Sequence, residues 1–139
     1  MDRRDQIRKI IIFADGTGNT FRNWESNIWR LYTALDLKGL DQVAMYIHEL
    51  GTSGLRPFAM FDAATGIGVP SNVRKLYRFL CWNWRPRVEI YMFGFSPWAF
   101  TIRTPIGLIA SQGLLPTEID GTQVSRAEMR RNAKAAWRA

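Results

Sequence analysis

Val88-Glu-Ile-Tyr-Met-Phe-Gly-Phe-Ser-Pro-Trp-Ala-Phe100 begins as an apolar strand, passes Gly94 and Ser96, and continues in the mixed apolar pattern of a helix. A strand, a sharp turn carrying Ser and then a helix form the context of a nucleophile elbow, G-x-S-x-G. Here the five positions read Gly94-Phe95-Ser96-Pro97-Trp98, so the first half matches and Trp replaces the second Gly. An elbow presents a Ser hydroxyl above a helix N-terminus. That hydroxyl attacks only when a base takes its proton and donors hold the oxyanion. One donor is normally the backbone N–H of the residue after the Ser. Pro97 has none, and it pushes Ser96 toward extended conformations. The same residues also fit a buried strand ending in an ordinary turn, with Pro97 at the first helical position, where proline is welcome.

Upstream, Ile10-Ile-Ile-Phe-Ala14 is continuously apolar and mostly β-branched, as in a parallel strand buried on both faces. It runs into Asp15-Gly-Thr-Gly-Asn-Thr20. Such a loop either offers backbone N–H groups to an anion or forms a tight turn in which Asp15 bonds its own backbone. Ser26 reads as an N-cap, followed by a helical face of Ile28, Trp29, Leu31, Tyr32 and Leu35. Val43-Ala-Met-Tyr-Ile47 is a second strand. His48 follows it as the sole histidine, one strand too early for a Ser-acid-His order. Gly51–Pro70 is a long glycine-containing connection. Ser71 or Asn72 then caps a helix whose stripe is Val73, Leu76, Tyr77, Leu80 and Trp84, closed by Arg85-Pro86. After the elbow a helix spans about 97–110, with Pro105 inside it and Gly113 and Pro116 beyond it. Ser125-Arg-Ala-Glu128 is a capping box that opens a last helix.

The order βαβαβα plus a helix implies an α/β unit of three parallel strands, at about 9–14, 43–47 and 88–94, with flanking helices. Three strands leave sheet edges open, and the last helix has no stop signal. Both features read as the front portion of a larger α/β domain.

The composition is that of a globular chain: 139 residues, 47% hydrophobic and 22% charged. The single cysteine, Cys81, excludes an intrachain disulfide and sits in an apolar helical pattern, as a core thiol would. No apolar run reaches membrane-spanning length, and the charged N-terminus is unlike a signal peptide. The net charge of +7 permits binding to anionic lipid or nucleic acid.

Phe13-Ala-Asp-Gly-Thr-Gly-Asn19, Ser26-Asn-Ile-Trp-Arg-Leu-Tyr32, Leu50-Gly-Thr52, Tyr77-Arg-Phe-Leu-Cys-Trp-Asn-Trp-Arg-Pro86 and Ile90-Tyr-Met-Phe-Gly-Phe-Ser96 stand in the order and spacing of one family. Over nearly its whole length the chain resembles the DUF2235 family of α/β-hydrolase-like proteins. That family includes the catalytic domain of type VI secretion phospholipase effectors of the Tle1 type. The resemblance implies a partial α/β-hydrolase-like fold and Ser-Asp-His hydrolysis of a phospholipid or other acyl ester, with no cofactor or metal. Ser96 matches the nucleophile, and Gly16 or Thr17 stands where the second oxyanion donor belongs. It also implies an immunity protein as partner, no nucleic acid, and cytoplasmic residence in the producing bacterium with export by type VI secretion.

Two departures lie at the elbow, where the family typically reads G-F-S-R-G-A-F and this chain has Pro97 and Trp98. A third is Pro105, in a helix that normally has an apolar helix former. Each is one nucleotide change away. The family's Asp and His lie beyond the last helix and match no position here. The expectation is therefore a truncated, degenerate member, inactive as this chain. Two alternatives remain. One is a non-catalytic basic module for membrane or nucleic acid. The other is a phosphate-handling enzyme built on Asp15 and Gly16–Asn19, which would need Mg²⁺ and more carboxylates than Asp15 and Glu25.

Overall fold

The computed structural model describes residues 6–15, 26–48, 69–95 and 98–139. Three strands, β1 (Lys9–Asp15), β2 (Gln42–His48) and β3 (Glu89–Gly94), form one parallel sheet in the order β2-β1-β3. Four helices flank it: α1 (Asn27–Thr33), α2 (Val69–Asn83), α3 (Trp98–Gln112) and α4 (Arg126–Arg138). The expected α/β unit of three parallel strands is therefore present.

Side-chain alternation along the strands sorts the core into two faces. Ile10, Ile12 and Ala14 pack with Leu76 and Leu80 of α2 and Ile102 of α3. Ile11 and Phe13 point the other way, toward Ile28 and Tyr32 of α1 and Tyr46 of β2. β1 is thus covered on both sides, as its unbroken apolar run requires. Tyr91 and Phe93 lie on the α1 side of edge strand β3, where α1 does not cover them, and both are exposed.

Three expectations are corrected. α2 starts at Val69 rather than after a cap at Ser71 or Asn72. Pro70 sits in the first turn, where its missing N–H has no partner to lose. Trp84 falls beyond the helix and is exposed, so the stripe ends at Leu80 and Cys81. α1 closes at Thr33, and Leu31 faces solvent. Ser125 is the N-cap of α4, as expected: its hydroxyl accepts from the Glu128 amide at 3.1 Å.

Pro105 lies within α3, its ring fully buried, and the helix runs through it. An interior proline costs about 3 kcal/mol. Replacing it with Ala forfeits about 1.6 kcal/mol of buried methylenes and roughly 0.5 kcal/mol of unfolded-chain entropy. Pro105→Ala is expected to stabilise the chain by about 1 kcal/mol, a rise of about 4 °C in the thermal midpoint. An unchanged or lower midpoint would show that the surroundings already absorb the proline.

Tyr77 is fully buried on α2, and its hydroxyl donates to the Gly113 carbonyl at 2.7 Å, pinning the end of α3. Gly113 has φ +71°, the left-handed conformation that suits glycine just past a helix. Burial, and then the charge and hydrogen bond of nearby Cys81, push the Tyr77 phenol up to about 12 from its usual 10. The folded state thus holds this proton more tightly than the unfolded chain. The stability so gained is complete below pH 10 and is lost as pH rises toward about 12. Thermal melts across that range are expected to fall, with Tyr77→Phe removing part of the decline; parallel curves would contradict this.

Candidate functional site

The strand order reverses at β1: α1 crosses on one face of the sheet and α2 on the other. In open α/β sheets the crevice at such a switch point, outside the carboxyl ends of the strands, is where ligands bind. Here that edge is made by the ends of β1 and β3. Ala14 and Gly94 are direct partners, and the Phe95 amide donates to the Ala14 carbonyl at 3.3 Å. β3 ends at Gly94 and α3 opens at Trp98, so three residues connect strand to helix. Ser96 and Pro97 in that connection, and Gly16 and Thr17 after β1, lie outside the described residues.

Asp15, the last residue of β1, is the one buried charged side chain among the described residues, 2% exposed. Its Oδ2 accepts from the Ser26 hydroxyl and, at 2.6 Å, from the Tyr46 hydroxyl. Ser26 is also the N-cap of α1, its Oγ accepting from the Trp29 amide at 2.9 Å. One hydroxyl therefore caps a helix and ties it to the end of the central strand. Burial, followed by the hydrogen bond to Asp15 and its negative charge, pushes the Tyr46 phenol well above its usual range, so it remains a donor. Asp15 Oδ1 is buried with no hydrogen-bond partner among the described residues. Among the described residues the carboxylate is tied to hydroxyls 11 and 31 residues away; the loop that both sequence readings concern, Gly16–Thr20, lies outside the described residues.

Below this clamp the rings of Phe93, Phe13, Tyr32, Tyr46 and Trp29 touch in succession, with centroid separations of 5.0–5.8 Å. Their packing fixes the direction of the Tyr46 phenol. His48 pairs with Asp15 in the backbone register. No group of three or more metal-ligating side chains exists among the described residues, and none of the helices there is long and apolar enough to cross a membrane.

The sequence model of the type VI secretion phospholipase effector Tle1-like catalytic domain matches residues 8–138. This chain belongs to that family. The Tle1-like chain is also similar to an uncharacterized protein of Saccharomyces cerevisiae, YEL023C, with 28% identity over 123 residues. That match covers 78% of this chain and 18% of the yeast protein, so the chain spans about a fifth of that relative's length. No solved structure matches it.

Sequence reasoning missed one local structure in the Tle1-like chain, a hairpin of β4 (Glu118–Ile119) and β5 (Thr122–Gln123) between α3 and α4. Its signal was the dipeptide Asp120-Gly121, whose φ values of 49° and 75° are those of a type I′ turn. Val124, just after it, is buried against Tyr77 and Met129, so the hairpin sets where α4 docks.

Proposed function

We propose that this chain carries the nucleophile-bearing part of a phospholipid acyl-ester hydrolase, with Ser96 as nucleophile and Gly16 or Thr17 as oxyanion donor. The observation that supports it most is the pairing of Ala14 with Gly94 at the carboxyl edge of the sheet. The stretches holding these residues leave adjacent strands side by side at the switch point, where strand-borne nucleophiles and oxyanion loops meet. The family supplies the substrate class, a lipid ester. In the chemistry this implies, Ser96 Oγ attacks the acyl carbonyl as a base takes its proton. The carbonyl oxygen becomes an oxyanion held by backbone N–H groups, the alcohol leaves with the proton, and water then cleaves the acyl–Ser96 ester, releasing the fatty acid and restoring the hydroxyl.

In this reading the 139 residues are the front part of the catalytic domain and do not turn over on their own. Pro97 removes a donor, Trp98 stands where the turn favours glycine, and no residue here matches the family's acid or histidine. The test is extension. Joined to the remaining residues of an active family member, the chain with Pro97→Arg and Trp98→Gly is expected to release fatty acid from phospholipid vesicles, and to lose that activity with Ser96→Ala. An extended, repaired chain that folds yet stays inert would overturn the assignment of Ser96.

A further inference from the structure

α2, which packs on the sheet face away from α1, and α4, which packs on α2, carry a charge distribution the hydrolase reading does not use. α2 contains Arg74, Lys75 and Arg78 and no acidic residue; α4 contains Arg126, Arg130, Arg131, Lys134 and Arg138 against Glu128 alone. Together they hold eight of the chain's 19 basic residues and one of its 12 acidic ones. The two helices pack together through Val73, Tyr77 and Cys81 against Met129 and Ala133. Arg74 and Arg78 are four residues apart and share one flank of α2. Arg126, Arg130 and Lys134 repeat that spacing on α4.

The two stripes meet across the seam. Arg78 is half-buried and lies within electrostatic reach of Arg130 and Arg74: burial and those two positive charges all disfavour its charged form. Where the stripes end, Arg126 lines an open groove of about 520 Å³ with Phe79, Trp82, Asn83, Gln123 and Val124. Like charges gathered at a helix seam are unfavourable to the fold alone, and they are relieved when anions sit among them. Guanidinium groups are the side chains best shaped to hold phosphate.

We propose that the α2–α4 seam, through Arg74, Arg78 and Arg130 flanked by Arg126 and Lys134, docks the chain on the phosphate headgroups of an anionic phospholipid surface. The choice of a lipid over another polyanion rests on the phospholipid hydrolase reading; the arginine cluster does not. The seam is built from helices of the opposite face to α1, so docking would not depend on the Asp15 clamp.

The experiment measures co-sedimentation of the full chain carrying Ser96→Ala with phosphatidylcholine vesicles, with and without 30 mol% phosphatidylserine, in rising salt. Expected are binding to the anionic vesicles only, steep weakening with salt, and roughly fivefold weaker binding per cation removed. Arg78→Gln with Arg130→Gln is then expected to weaken binding about 30-fold, with a thermal midpoint no lower than the parent's because a repulsion is gone. Should that pair lower the midpoint, Arg126→Gln with Lys134→Gln, both at exposed positions, carries the test. Arg87→Gln with Arg103→Gln, exposed and off the seam, removes equal charge and is expected to change binding by about twofold or less. The proposal is overturned by equal binding to neutral vesicles. Equal loss in the off-seam pair, or binding to a 20-nucleotide single-stranded DNA without binding to vesicles, would overturn it as well. Because Ser96 is absent throughout, a failure here leaves the hydrolase reading untouched, whereas inert extended chains would remove the ground for choosing a lipid and leave the arginine cluster and the vesicle measurement standing.

Discussion

No ester hydrolysis that depends on Ser96 is expected from the 139-residue chain, with either p-nitrophenyl esters or phospholipid vesicles as substrate. Two losses compound. Serine hydrolases stripped of a triad member keep only a residual acceleration of roughly 10³–10⁴ over water, due to the oxyanion hole and binding. His48, the only histidine, precedes Ser96 by a whole crossover, which does not fit a Ser-acid-His order. The residual itself depends on oxyanion donors, and each is worth about 10²–10³ in rate. Pro97 cannot supply the one that follows the nucleophile. The product falls to or near the uncatalysed rate. Restoring Pro97→Arg and Trp98→Gly in the chain alone is expected to change nothing measurable, because a repaired hole still lacks a base. Turnover by the unextended chain, abolished in Ser96→Ala, would contradict both steps of this argument.

The second large effect is on stability. Asp15→Ala removes the acceptor for two hydroxyls, Ser26 and Tyr46, at the end of the central strand. Hydrogen bonds to a charged group contribute about 1.5–3 kcal/mol each. Against this, the unpartnered Oδ1 disappears, which returns part of the cost. A net loss of about 3 kcal/mol is expected, close to a 10 °C fall in midpoint for a chain of this size. Stabilities of domains this size run about 5–15 kcal/mol, so the variant has little reserve. Asp15→Asn, which keeps one accepting oxygen, is expected to lose about half as much. A double-mutant cycle with Tyr46→Phe is expected to give a coupling above about 1 kcal/mol. Additive effects would show that Tyr46 and Asp15 are neighbours without being partners.

The sheet was legible because its central strand had to be. Ile10 to Ala14 offers no polar face, so both sides must be covered, and only a parallel arrangement with helices above and below does that. The Ser125 cap and the stop at Gly113 were equally plain, since each depends on residues adjacent in sequence. Legibility failed where the deciding contact was distant or short. Trp84 continues the apolar period of α2, but the helix is gone by then. The Asp120-Gly121 hairpin joins strands of two residues, too short for any alternation to show. Ser26 announced itself as a cap, yet its bond to Asp15 could not be read. Nor could the Tyr46 bond, which follows from Phe13 and Tyr46 falling opposite one another in the sheet register.

Asp15 and Ser26 bracket residues 16–25, and the hydrogen bond between them closes that segment at its base. The two ends are fixed to each other whatever lies between. Because closure entropy grows only with the logarithm of length, doubling such a segment costs about 0.6 kcal/mol. The strand and helix on either side need not move to accommodate it. The segment is in effect a cassette: its length and sequence can change while the carboxylate at its hinge keeps the frame. Diversity among members of this family is therefore expected to concentrate between these two positions and to spare the positions themselves.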